Sequence, residues 1–376
     1  MDLEEKVNIL GEAAQYDLCS TAGQPRPDGK DVMRYISHVQ PSHGRPMPVL
    51  KVLQTNACTK DCYYCPFRAG RPFRREAFQP DELASLTAQM HRARLIKGIF
   101  LSSGVVGKGD YTMEKMIATA EILRRKLHFD GYLHLKIMPT ASDAAIEAAL
   151  GLADRVSVNL EAPNAERLAR LTSTKEIEQD LMAPLRRVKQ LLDQTRQRVS
   201  RTTQFVVGAA GESDQEILTT AHQLYRELGL ARAYYSAFRP VPDTPLDGLP
   251  AANPKRQDRL YQADALIRLY GFGVEDIGLG GDGNLSLVED PKLSWARRHP
   301  EQFPVEINTA SRPTLLRVPG IGPTSADRVI RWRRRGRLRS LGDLRKAGAV
   351  ADRAAPFVTL DGRRPARQLS FWEQPS

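Results

Sequence analysis

Cysteine is scarce in this chain, with four residues among 376. That excludes a secreted scaffold stapled by disulfides, since such domains are dense in cysteine. Long apolar runs are missing as well. None approaches the ~20 residues that a membrane-spanning helix needs, so no membrane partner is expected. The opening Met1-Asp-Leu-Glu-Glu-Lys is acidic and polar, unlike a secretory signal, and a reducing cytoplasm is the expected compartment. A phosphate loop is also lacking. Gly104-Val-Val-Gly107-Lys108-Gly109 has neither the four-residue gap nor the Ser or Thr after lysine that a Walker motif requires. Gly278-Leu-Gly-Gly-Asp-Gly283 stands outside any strand-to-helix context and reads as a flexible loop or linker.

The cysteines that are present sit together. Three of the four fall within Cys58-Thr-Lys-Asp-Cys62-Tyr-Tyr-Cys65, while Cys19 stands apart as a buried or bystander thiol. The C-x3-C-x2-C spacing places three thiolates in one short loop, suited to three irons of a [4Fe-4S] cube. With no fourth cysteine nearby, one iron is left for a ligand that is not a side chain. A zinc site is the alternative, with His43 or His91 as fourth ligand, but zinc ligands usually come as paired knuckles and no second knuckle exists. The loop, with Tyr64 immediately before its third cysteine, resembles the signature of the radical SAM superfamily. The resemblance implies a [4Fe-4S] cluster on Cys58, Cys62 and Cys65, with S-adenosylmethionine (SAM) on the open iron and reductively cleaved there.

From Pro48 onward, apolar runs of strand type alternate with segments of helical period. The runs cover 49–55, 98–103, 132–138, 155–160, 204–208 and 233–238; the helical periods fall at 80–95, 112–127, 142–151, 178–195, 213–229 and 254–270. Pro80-Asp81-Glu82 and Ser142-Asp143 read as helix starts, with capping residues and acids in the first turn. Six strand-then-helix units imply right-handed crossovers and a parallel sheet. The expected fold class is α/β: a partial (β/α)6 barrel of the form the radical SAM resemblance implies, followed, where Val318-Pro319-Gly320-Ile321-Gly322 resembles a helix-hairpin-helix motif, by a small all-α helix-hairpin-helix domain. The expected boundaries are a leader helix and loop at 1–47, the core at 48–272, a linker or extension at 273–306, and a nucleic-acid-binding domain with its tail at 307–376.

The radical SAM resemblance also implies cofactor contacts at strand ends, where parallel barrels collect their chemistry. Leu101-Ser102-Ser103-Gly104 is similar to the turn that meets the SAM amino group, although Val105 stands where an acid is usual. An ordinary turn is the alternative. Asn159 and Glu161, two apart, would share a face and hold ribose hydroxyls, or simply close the strand end. Phe205-Val-Val-Gly208-Ala-Ala-Gly211-Glu212 resembles part of the adenine-contacting pattern. Arg68, Arg71, Arg74 and Arg75 form either a phosphate-guiding rim or a solvated charge run. Arg239, at the exit of the last run, either faces an anionic substrate or is solvated.

The basicity is local. From Asn308 to the end stand 15 Lys or Arg against 5 Asp or Glu, a net +10 of the whole chain's +11. Such a patch points to a polyanion. It contains Val318-Pro319-Gly320-Ile321-Gly322-Pro323-Thr324-Ser-Ala326, which resembles a helix-hairpin-helix motif. The motif's backbone amides at a helix N-terminus hold a phosphate without reading bases. Arg331, Arg333, Arg334, Arg335, Arg337 and Arg339 add charge for neighbouring phosphates. Ser340-Leu-Gly-Asp-Leu344 with Ala347-Gly348-Ala349 resembles a degenerate second half. A protein-interaction bundle is the alternative.

The pairing of the cysteine loop with this module resembles a bacterial radical SAM family linked with DNA modification or repair. It implies double-stranded DNA as partner, an electron donor such as flavodoxin or ferredoxin, and a uracil-DNA-glycosylase-like partner. Gln368-Leu-Ser-Phe371-Trp372 resembles a sliding-clamp docking peptide, or is a strand end packing on the domain. Two other readings stay open: a radical SAM enzyme acting on RNA, and a non-enzymatic DNA-binding protein with a structural metal. No residue is assigned a catalytic role beyond cofactor binding.

Overall fold

A computed structural model describes residues 3–16, 32–39, 46–107, 109–195 and 197–365. Cys19, His43, Lys108 and the stretch 368–372 lie outside the described residues. The chain divides into two compact units, Met1–Glu212 with Thr219–Gln257, and Ser213–Leu218 with Asp258–Ser376.

The first unit is built on a seven-stranded sheet whose strands lie in chain order. Helix α1 (Leu3–Ala13) comes first, then β1 (Ile36–Val39) and β2 (Met47–Leu53). There follow α2 (Pro80–Arg92), β3 (Gly98–Ser102), α3 (Gly109–Glu121), β4 (Tyr132–Lys136), α4 (Asp143–Leu150) and β5 (Arg155–Ser157). Next come α5 (Ala165–Ala169), α6 (Ala183–Thr195), β6 (Ser200–Val207), α7 (Asp214–Leu228), whose first five residues fall in the second unit, β7 (Arg232–Ala237) and α8 (Pro254–Tyr270), which belongs to the second unit from Asp258 onward. Strands β2 to β7 are parallel, as six strand-then-helix units require. Residues in register share a face, so Leu50, Ile99 and Leu133 make one fully buried apolar row. The opposite face carries Lys51, Phe100, His134 and Arg155 in register, all buried. Both expected helix starts are present: Gln79 and Glu82 form a capping box ahead of Pro80, and Ser142 Oγ accepts from Ala145 N.

Two features depart from the sequence reading. Strand β1 falls in the segment read as a polar loop. It pairs antiparallel with β2, Ile36 against Leu50 and Val39 against Met47, adding a seventh strand that only the partner's edge defines. Strand β5 stops at Ser157, because Thr203 Oγ1 donates to Val158 O and accepts from Leu160 N. Glu161 then turns into the left-handed region at φ 64°. Asn159 thus lies beyond the strand, and Glu161 pairs with β6 through an isolated parallel bridge to Phe205.

The second unit contains α9 (Pro291–Arg298), β8 (Val305–Glu306), α10 (Arg312–Arg317), α11 (Pro323–Arg333), α12 (Leu341–Lys346), α13 (Ala351–Ala354) and β9 (Val358–Thr359). Its core gathers Ile307, Leu315, Val318, Ile321, Ala326, Val329 and Leu344. The two-residue strands β8 and β9 pair in parallel and close the helical module.

Candidate functional site

The cysteine loop follows the C-terminal end of β2. Cys62 is buried and Cys58 and Cys65 half-buried, all three as free thiols. The path is set by backbone bonds: Thr59 N donates to Val105 O at 2.7 Å, Tyr63 N to Leu171 O at 2.7 Å, and Ala69 N to Lys60 O at 2.8 Å. Cys58 Sγ accepts from Lys60 N and Val105 N, each at 3.4 Å. Gly104 lets the turn after β3 lie against this loop, since a Cβ there would fall 2.1 Å from Ala57 O. Of the four arginines after the loop, Arg68, Arg71 and Arg75 brace it, and the exposed Arg74 pairs with Glu5 of α1. Arg75 donates to the carbonyls of Asn56, Phe67 and Arg68 at 2.8–2.9 Å. Arg68 donates to Asp61 O, Arg71 to Pro66 O and Pro242 O, and Arg74 to Glu5. These contacts, not an open rim, occupy them.

A second anchor was not read from the sequence. Asp61 accepts from Thr172 Oγ1, Ser173 Oγ and Thr174 Oγ1, each at 2.6 Å, and from the Ser173 and Thr174 amides at 3.1–3.3 Å. Although burial opposes it, these bonds hold the carboxyl well below the usual carboxylate range. The segment so pinned delivers Lys175. Its ammonium lies beside Cys62 and 3.9 Å from Glu161, with both partners of the ion pair under a tenth exposed. Burial alone would lower Lys175, but the charges of Cys62 and Glu161 outweigh it and hold it above the usual lysine range. Burial, with the charge of Glu161, pushes the Tyr64 phenol up. Burial pushes the Cys62 and Cys65 thiols up, with Lys175 opposing it. Lys175 carried no motif signal, and nothing short of the fold could have placed it.

In the second unit, α10 and α11 flank the hairpin 318–322. Pro319 and Ile321 are buried, Gly320 and Gly322 half-buried, and Thr324 exposed at the start of α11. Arg331, Arg334 and Arg335 are exposed. Arg333 is different: its guanidinium donates to Ile307 O at 3.1 Å and Ala310 O at 2.6 Å, tying α11 to the segment before α10. It serves the fold of the module. The degenerate second half is formed by α12 and α13, braced to the first by Val350 N on Gly320 O and Ser325 Oγ on Gly348 O.

Family models give two matches. Residues 52–224 match the radical SAM superfamily, and residues 301–354 match the helix-hairpin-helix motif. Nearly half of the chain is thus similar to radical SAM proteins. Solved structures similar to it include the [FeFe]-hydrogenase maturase HydG, at 12% identity, over 57% of this chain and 48% of that one with TM-score 0.46. HydG from Carboxydothermus hydrogenoformans (14%, 57% and 50%, TM-score 0.46) and the methylornithine synthase PylB (14%, 52% and 55%, TM-score 0.44) also match. The chain thus spans about half the length of these structures. No curated protein matches the chain by sequence.

Radical SAM proteins use a [4Fe-4S] cluster and SAM, and Cys58, Cys62 and Cys65 lie within the matched region. The donor set fits. Three free thiols on one short loop are the soft donors that three irons of a cube take. Ser103 Oγ, in the turn against the loop, is buried without a partner among the described residues. A buried hydroxyl left so costs about 1–3 kcal/mol, which a polar ligand would relieve. Ser102 is buried at the end of β3, and its carbonyl accepts from Gln54 N. Glu161 meets Tyr64 and Lys175, and Asn159, two residues before it, is buried as well. Gly208 sits at φ 94° with Ala252 packed where its Cβ would be, and its amide donates to Glu212. Glu212 thus closes its own turn.

Proposed function

We propose that the protein is a radical SAM enzyme that modifies or repairs DNA held by its helix-hairpin-helix module. The observation that carries this reading is the presence on one chain of three free thiols on a braced loop at a strand's C-terminal end and a glycine hairpin beside exposed arginines. When bound, the cluster and SAM supply one-electron reductive cleavage and hydrogen abstraction, chemistry that no side chain performs. The chain's own residues hold and shield the site. Cys58, Cys62 and Cys65 are the iron ligands; Asp61 locks the loop; Lys175, Glu161 and Tyr64 form a buried charged set beside Cys62. Glycine amides and Arg331, Arg334 and Arg335 grip phosphates without reading bases, which suits action on a damaged or modified position in any sequence. A target inside a duplex must be exposed or flipped. The electron comes from a flavodoxin or ferredoxin, and a glycosylase-like protein would act on the same DNA.

The test is SAM turnover by anaerobically reconstituted protein with duplex DNA or transfer RNA. Stimulation by duplex is expected; stimulation by RNA alone would overturn the DNA reading. Cys62→Ala should abolish both the iron–sulfur absorbance near ~400 nm and SAM cleavage, and persistence of cleavage would refute the assignment of the loop.

A further inference from the structure

Ahead of the residues matched to the hairpin motif stands a lysine whose position works against its own helix. Lys292 is the second residue of α9, after the cap Asp290. A cation there opposes the helix dipole, and at 8% exposure its burial is costly. Its ammonium donates to Ile321 O at 2.6 Å and lies 4.6 Å from the centre of the Tyr270 ring. Ile321 is the middle of the hairpin. On one side Gly320 holds φ 84°, and a Cβ there would fall 2.4 Å from Val350 O. On the other side Gly322 caps α11 and brings its Cβ position within 3.3 Å of the Tyr270 hydroxyl. The glycines make the turn possible but have no side chains to anchor it. Lys292 supplies the anchor. In a trans peptide the C=O and N–H point in opposite directions within one plane, so holding the Ile321 carbonyl also aims the Gly322 N–H away from Lys292.

We propose that Lys292 is a positioning residue for nucleic-acid binding, setting the hairpin's Gly322 amide through the Ile321 carbonyl and making the grip depend on its own charge. This rests on the reading that the hairpin holds a nucleic-acid backbone. Burial pulls the Lys292 ammonium down to about 7; Asp290 raises it, and Arg353 and Arg317 lower it. These charges are engaged elsewhere: Arg353 pairs with Asp290, and Arg317 with Asp276. Tyr270, pushed up by burial, stays neutral. A bound phosphate favours the cation, so the grip is strongest below the free lysine's titration and weakens as pH rises through it. The neutral amine still donates, but without charge assistance its bond is about half as strong.

The experiment measures duplex affinity of the full chain by fluorescence anisotropy at constant ionic strength, from about pH 6 to about pH 8.5. Wild type should weaken several-fold more than Lys292→Arg, which keeps its charge. Lys292→Met should bind roughly tenfold more weakly at the acid end, the loss of one charge-assisted bond, and show a flattened profile. Amide exchange across 318–324 without DNA should quicken in Lys292→Met and stay near wild type in Lys292→Arg. Wild-type affinity, profile and exchange in Lys292→Met would overturn this proposal alone. Failure of wild type to bind duplex at any pH would overturn the hairpin reading and this proposal with it. If Lys292→Met does not fold, the comparison of Lys292→Arg with wild type decides, and identical pH profiles overturn the proposal.

Discussion

Asp61→Ala is the perturbation that tests most directly how the cysteine loop is held. The carboxylate accepts from three hydroxyls and two amides of residues 172–174. A hydrogen bond to a charged group contributes about 1.5–3 kcal/mol and a neutral one about 0.5–1.5, but five donors on two oxygens do not add. Thr172 is buried, whereas Ser173 and Thr174 are exposed and regain water when the carboxylate is removed. The expected loss is therefore roughly 3 kcal/mol, mostly from Thr172 and the two amides. At about 2–4 °C per kcal/mol for a unit of this size, the thermal transition should fall by roughly 6–12 °C. The second assay reads the loop itself. Cys62 is 7% exposed, so alkylation of the cluster-free protein at Cys62 should be slow in wild type and much faster in Asp61→Ala. Asp61→Asn keeps the shape but turns a donor NH2 toward other donors, and should lie between the two. A melting temperature and a Cys62 alkylation rate both unchanged in Asp61→Ala would refute the claim that this carboxylate welds the two segments.

Gly104→Ala should displace the cysteine loop, because the new methyl would stand 2.1 Å from Ala57 O. Overpacking of this kind costs about 1–3 kcal/mol, and iron bound per chain after reconstitution should drop, whereas Gly151→Ala, whose nearest neighbour is at 3.5 Å, should match wild type. In the second unit, backbone bonds led by the one from Arg339 N lower Asp343. Glu306 is likewise lowered by the amides of Gly362, Asn308 and Asp361, against burial. Their folded pKa values lie below the unfolded ones of about 3.9 and 4.3, so their stabilisation is complete above about pH 5 and is lost as pH falls below about 4 and through the lower folded values. Denaturant melts should show Asp343→Asn losing stability relative to wild type at neutral pH and converging with it in acid; a gap independent of pH would count against the assignment.

Much of this architecture is legible in the linear sequence because it rests on local chemistry. Three cysteines in eight positions, helix starts at Pro80 and Ser142, apolar runs at strand spacing and a Gly-Ile-Gly turn before a basic helix each declare themselves within a dozen residues. What remained hidden involves partners far apart along the chain. Strand β1 exists only because β2 offers it an edge. Asp61 finds Thr172 across 111 positions, and Lys292 reaches Ile321 across 29. Composition alone counts arginines without saying what they hold: Arg68, Arg71, Arg75 and Arg333 look free in sequence, but each donates to buried or nearby carbonyls. A backbone acceptor has no residue type, so no pattern of letters marks where a guanidinium will find one. Residue identity determined which chemistry the chain can carry; folding decided which charged groups brace the cysteine loop and the hairpin and which are left to meet a partner.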